Sequence, residues 1–152
     1  MGGAIIGLRE RQSLSLDPRT LPDDVDGLVR NSDDEADAML LAGAAPLRTY
    51  FPSLDELHFV RFMAGLSAYT PDGEFVLGPV PGAARFFAAA GCCGSGIACS
   101  GGIGLAAAEA ALGRPPSFDL TPFRPDRFGA IDPFAPDFRE RCAASRSGKL
   151  SG

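Results

Sequence analysis

The chain has 152 residues, 45% of them apolar, with 14 Lys and Arg against 19 Asp and Glu for a formal net charge of −5. That length sets one domain as the prior, and the apolar fraction suffices for a buried core and excludes wholesale disorder. A net-negative chain whose arginines are scattered beside acids excludes nucleic acid as a partner, and the 19 glycines and 13 prolines follow no short period, which excludes collagen and solenoids.

The first ten residues, "MGGAIIGLRE", lack the charged start and long apolar core of a secretory signal. The four cysteines are therefore read as reduced thiols and the setting as cytoplasmic. A short strand is predicted over residues 4–8, followed by a polar, proline-broken loop. Ser32 and Glu35 form a capping-box pair, and Asp33, Asp34 and Glu35 favour the positive end of a helix dipole. With Ala36, Met39, Leu40 and Ala44 at helical spacing, a helix is predicted over 33–45, broken or kinked by Pro46. "LHFVRFMAGL" predicts a strand over 58–65, and its His58 is read as structural.

"TPDG" (70–73) has the proline and glycine positions of a turn, in which Asp72 serves the backbone. Strands are predicted over 74–77 and 84–90, the second apolar on both faces as in a buried central strand. A glycine-rich loop follows. Ser100 is read as the cap of a helix over 101–112, with Gly113 as its stop and Pro115 beyond. The remainder is punctuated by proline, with a last short helix predicted over 136–145.

The stretch "AGCCGSGIACSGGIG" (90–104) admits several chemistries. Zinc is disfavoured, because Cys92, Cys93 and Cys99 lack C-x-x-C spacing and His58 is remote. A membrane span is disfavoured by six glycines in the uncharged interval between Arg85 and Glu109. A phosphate or cofactor loop has the right element order of strand, glycine loop and helix, yet "GCCGSG" is out of register with G-x-G-x-x-G. The residues alone support a helix N-terminus facing either a ligand or another backbone. Close helix-on-sheet packing accounts for the glycines equally well.

Five landmarks in order resemble the C-terminal segment of the FAD-dependent amine and amino-acid oxidoreductases. That group includes D-amino acid, glycine and sarcosine oxidases and the sarcosine and dimethylglycine dehydrogenases. The landmarks are "TPDG" (70–73), "LGPVP" (77–81), "AAGCCGSGIA" (89–98), "GGIG" (101–104) and "FDLTPFRPDRF" (118–128). The form "SGIACSGGIG" and the closing "RF" look most like the two dehydrogenases. The resemblance implies an α/β fold that is the C-terminal fragment of a two-domain enzyme. Residues 1–66 would be a remnant of the substrate-binding domain and 67–129 the last strand and helix of the FAD domain. Residues 130–152 would be a tail.

The same resemblance implies that Thr70, Gly94, Ser95, Gly96, Ile97 and Ala98 line the flavin, with backbone amides stabilising negative charge on its reduced form. Cys92 and Cys93 would be fitted only by size. The position where some members attach flavin covalently is Ser67, so FAD would be held non-covalently. The carboxylate-binding arginines of glycine oxidase are absent, which leaves Arg9 as the substrate candidate; a solvated surface charge is its plain alternative. No acid–base residue and no metal site are implied. The family's dinucleotide-binding β-α-β unit is not found in these 152 residues, so a longer chain or a partner chain is expected to supply it. A non-catalytic subunit or interaction module built on the same fold is the competing expectation.

Overall fold

Proline at the second position and glycine at the fourth make Thr70 to Gly73 a closed turn, and the structure builds outward from it. In the computed structural model the described residues are 5, 13, 15–23, 38, 41–56 and 65–149. The Gly73 amide donates to the Thr70 carbonyl at 3.2 Å, and Gly73 takes a φ of +76°. Asp72 closes the turn from the side, accepting from the Glu74 amide at 3.1 Å.

Strand β1 (Val76–Pro79) leaves this turn and pairs antiparallel with β2 (Phe87–Ala90), with Leu77 opposite Ala89. Helix α1 (Ser100–Ala111) packs on this hairpin, and Leu77 and Ala106 are buried between them. Helix α2 (Pro136–Gly148) starts with proline in its first turn, where the missing N–H is harmless. Ser13 and Ser15 lie against α2. Arg139 Nη2 donates to the Ser15 carbonyl at 2.8 Å, Arg146 Nη1 donates to Ser13 Oγ at 2.7 Å, and Ser13 N–H donates to Ser147 Oγ at 3.0 Å.

The chain divides into two compact units, Met1–Arg11 with Thr20–Leu66, and Gln12–Arg19 with Ser67–Gly152. In the first, Ala38 and residues 41–43 are helical, as the sequence predicts. The helix ends where Pro46 enters the 3-10 turn Ala45–Thr49. A second 3-10 turn, Pro52–Glu56, buries Leu54. The predicted strands at 4–8 and 58–65, with His58, fall outside the described residues apart from Ile5 and Gly65.

Several predicted boundaries move. The first hairpin strand starts at Val76 rather than 74, because the Glu74 carbonyl already accepts from Thr70 Oγ1 and Arg127 Nη2. The second starts at Phe87 rather than 84. Residues 80–86 form successive turns through Pro81 and Gly82, and Arg85 is left-handed at φ +64°. β2 is not a buried central strand among the described residues: it pairs on one side only, and Ala89 and Ala90 are exposed. Ser100 does not cap α1. It is the first helical residue, and its hydroxyl donates to the Ile97 carbonyl at 2.9 Å.

The far end of α1 is as expected. Gly113, at φ +65°, donates to Ala110, and the Arg114 amide reaches back to Glu109 at 2.8 Å, the paired bonds of a Schellman stop. The last helix runs three residues beyond its predicted end. The uncharged interval 86–108 is thus a strand, a loop and a helix. Among the described residues no helix is long and apolar enough to cross a membrane.

One ion pair ties the distant 121–128 segment to the turn. Arg127 grips Asp72 through Nε at 2.8 Å and Nη2 at 3.0 Å. The same guanidinium donates to the carbonyls of Phe123, Arg124 and Glu74 at 3.1–3.2 Å and lies 4.3 Å from the centroid of the Phe128 ring. Phe75 and Phe123 pack beside it with ring centroids 6.3 Å apart. The Arg127 side chain is only 12% exposed. This guanidinium, with smaller help from the Glu74 amide and Thr70 hydroxyl, holds the Asp72 carboxyl at about 2 against its ordinary 3.8.

Two predictions follow from this packing. Because the folded carboxyl binds its proton more weakly than the unfolded one, the pair's contribution is complete above about pH 4 and fades as pH falls towards about 2. Arg127→Ala should lower stability by about 1–2 kcal/mol at pH 7, a charged bidentate pair discounted for the exposed side of Asp72. Denaturant melts of wild type and variant should converge as the pH drops through that window, and parallel curves would refute the assignment. The second prediction contrasts two glycines. A Cβ on Gly91, at φ +62°, would lie 2.9 Å from Thr70 Cγ2, whereas one on Gly104 meets nothing within 4 Å. Gly91→Ala should destabilise, and Gly104→Ala should stabilise by up to about 1 kcal/mol through helix propensity. Thermal melts of the two variants check the ranking.

Candidate functional site

Between β2 and α1 the chain must reverse from a strand into a helix within nine residues. It does so with consecutive left-handed residues, Cys93 at φ +48° and Gly94 at φ +81°. A left-handed conformation is unusual for a non-glycine residue and persists only where its surroundings impose it. Here they do. Cys93 is 1% exposed, and its amide donates to the Ala68 carbonyl at 3.1 Å. Its sulfur lies 3.5 Å from Thr70 Oγ1 and 3.8 Å from the Glu74 carbonyl. Cys93 is therefore part of the core that Thr70 closes, a larger role than a residue fitted by size.

Thr70 is buried under this loop. Its hydroxyl lies 2.7 Å from the Glu74 carbonyl and 2.9 Å from Asp72 Oδ1, two acceptors for one proton. Its polar atom is thus turned inward, serving the turn and Cys93. The predicted flavin-lining residues fall into two groups: Thr70 supports from beneath, and residues 94–98 form the outer surface.

On that surface most donors are unspent. The Ser95 amide donates to Cys92 at 2.8 Å, and the Cys99 amide to Ser95 at 3.0 Å. The amides of Gly94, Gly96, Ile97 and Ala98 find no acceptor among the described residues. Ile97 is 94% exposed. No acidic side chain stands in the first turn of α1 to neutralise its positive end. Such an edge can donate several hydrogen bonds to an electron-rich, flat partner.

Gly96 owes its identity to crowding, since it does not use positive φ. A Cβ there would sit 3.0 Å from Cys92 Cβ and 3.3 Å from its sulfur. Gly101, Gly102 and Gly104 face open space, so close helix-on-sheet packing does not explain them.

A cation braces the loop from α2. Lys149 Nζ donates to the Cys93 carbonyl and, at 2.9 Å, to Ser95 Oγ. Nothing in the local sequence pointed to Lys149. Arg127 stands in the quoted "RF" landmark, but its partner could not be read from it.

The four cysteines are free thiols, and burial pushes the Cys142 thiol up. Among the described residues no three of His, Cys, Asp or Glu converge as a metal set. Arg9, the predicted substrate arginine, lies outside the described residues. A cavity of about 990 Å³ lies elsewhere, between the 79–81 turn, Ala106 and Ala110 of α1 and the 114–126 segment; none of residues 94–98 lines it.

N-methyl-L-tryptophan oxidases of Salmonella newport (strain SL254) and Salmonella typhi are each 42% identical to the chain over 59 residues, and that of Salmonella arizonae is 41% identical over the same length. The matched stretch covers 39% of this chain and 16% of each relative. No solved structure is significantly similar to the chain. Residues 3–110, well over half of the sequence, match the FAD dependent oxidoreductase family, and the chain belongs to that family.

Proposed function

We propose that this chain provides the flavin-facing edge of an FAD-dependent oxidoreductase acting on the C–N bond of an amine or amino acid. The observation that carries the reading is the row of unengaged amides at Gly96, Ile97 and Ala98 ahead of α1. Family membership supports the cofactor. Relatives named as oxidases of an N-methylated amino acid support a small N-substituted amino acid as the substrate class.

Bound FAD would supply the hydride-acceptor chemistry of the reaction. The chain's own part is to hold and polarise. The Gly96, Ile97 and Ala98 amides would donate to the polar edge of the ring, the dipole of α1 would add positive potential, and Thr70 and Cys93 keep the loop rigid beneath. Ser67 has no thiol, so the cofactor is held non-covalently. Arg9 is assigned to the substrate carboxylate. On this reading residues 1–66 belong to the substrate domain, 67–129 to the FAD domain and 130–152 to a tail. A dinucleotide-binding unit, from a longer chain or a partner, completes the site in the cytoplasm.

A second reading, a non-catalytic interaction module of the same descent, draws support from exposed Ile97 before α1, Leu105 on it and Leu112 at its C-terminal cap. Flavin absorbance separates the two. The 152-residue chain alone should carry no stoichiometric FAD, because ring-edge amides cannot replace the pyrophosphate contacts. In an assembly that includes the dinucleotide-binding unit, Gly96→Val should weaken FAD binding about tenfold, the loss of one or two hydrogen bonds. Cys92→Ala should leave binding nearly unchanged. Equilibrium titration of the visible flavin band checks both, and the reverse ranking would sink the assignment.

A further inference from the structure

Helix α2 ends at Gly148, and Lys149 caps it in an extended backbone conformation, its amide donating to the Arg146 carbonyl. The ammonium reaches the Cys93 carbonyl and the Ser95 hydroxyl, 5.9 Å from the centroid of the Tyr69 ring. That carbonyl belongs to the peptide joining the two left-handed residues, Cys93 and Gly94. No other donor among the described residues reaches it. No carboxylate among the described residues lies within ion-pair distance of Lys149. Its charge is therefore spent on the loop.

We propose that Lys149 is the positioning residue of the 94–98 loop. Its ammonium locks the backbone between Cys93 and Ser95 and so sets the direction in which the Gly96, Ile97 and Ala98 amides point. The lock acts beside a left-handed non-glycine residue, where a small rotation about the Cys93–Gly94 peptide would redirect the amides that follow. The consequence for the cofactor rests on the flavin reading above; the lock itself does not.

The test uses the full chain with Lys149→Met, Lys149→Arg and Ser95→Ala. Two readouts report the loop: hydrogen exchange at the hydrogen-bonded amides of Cys93, Ser95 and Cys99, and alkylation of buried Cys93 by iodoacetamide, resolved by peptide mass spectrometry. Lys149→Met should speed both about tenfold, as expected for losing charge-assisted hydrogen bonds, while exchange within α1 stays unchanged. Lys149→Arg should restore most of the protection, because it keeps a charged donor. Ser95→Ala, which removes one of the two contacts, should give an intermediate loosening and serves if Lys149→Met does not fold. Unchanged loop exchange and Cys93 labelling in Lys149→Met, or in Ser95→Ala where only that variant folds, would overturn the proposal. So would a Lys149→Arg loop as loose as the methionine variant's. In the FAD-loaded assembly, a loosened loop with unaltered FAD affinity would overturn the flavin reading and leave the lock standing.

Discussion

The grip of Arg127 on Asp72 is the contact from which the rest of the described 67–149 structure hangs. Asp72 Oδ1 gathers three donors: the Thr70 hydroxyl, the Glu74 amide and Arg127 Nη2. The guanidinium in turn holds three carbonyls from two segments. The turn fixes Thr70, Thr70 packs against Cys93, and Cys93 sets the exit of the glycine loop. A proline-rich stretch more than fifty residues downstream is thereby part of the support for the loop. Without a charged partner, Asp72 would be a turn residue like many others.

The second constraint is conformational. Turning a strand into a helix within so few residues requires φ values that only glycine adopts easily, and the chain places a cysteine at one of them. Local strain of this kind is tolerated where several contacts impose it. Cys93 has an amide that donates to the Ala68 carbonyl, a sulfur packed on Thr70 and a carbonyl held by Lys149. The thiol is small enough to be buried here, and its value is its size and position more than its nucleophilicity.

How much of this the sequence revealed depends on the range of each interaction. The turn at 70–73, the stop at Gly113 and the helix starting at Pro136 were legible because each is decided within four or five residues. The same holds for the family resemblance, whose landmarks are short runs at fixed spacing. Ser100 was misread because a serine hydroxyl near a helix start can donate backwards as readily as it can accept from the next turn. The first strand was placed two residues early because the competitor for the Glu74 carbonyl, Arg127, is 53 residues away. Lys149 lies 56 residues from Cys93, and no local pattern marks it. Long-range polar contacts escape a reading built on periodicity.

The cavity and the row of free amides occupy different places in this chain. The cavity beside α1 is lined by prolines, Phe87, Phe118 and Leu120 together with Arg114, Asp119, Arg124 and Asp126, whereas the free amides lie on an exposed, outward-facing loop. A loop of this shape can form one wall of a site and cannot enclose a ligand by itself. On the proposed reading, the remaining walls of the cofactor site come from elements outside this loop. On the same flavin reading, the wall formed by the loop needs rigid donors, and amides backed by a buried threonine, a cysteine and a tethering lysine supply them. The chain's net negative charge does not oppose this. The local field at the loop comes from the start of α1 and from Lys149, with no acidic residue in that first helical turn.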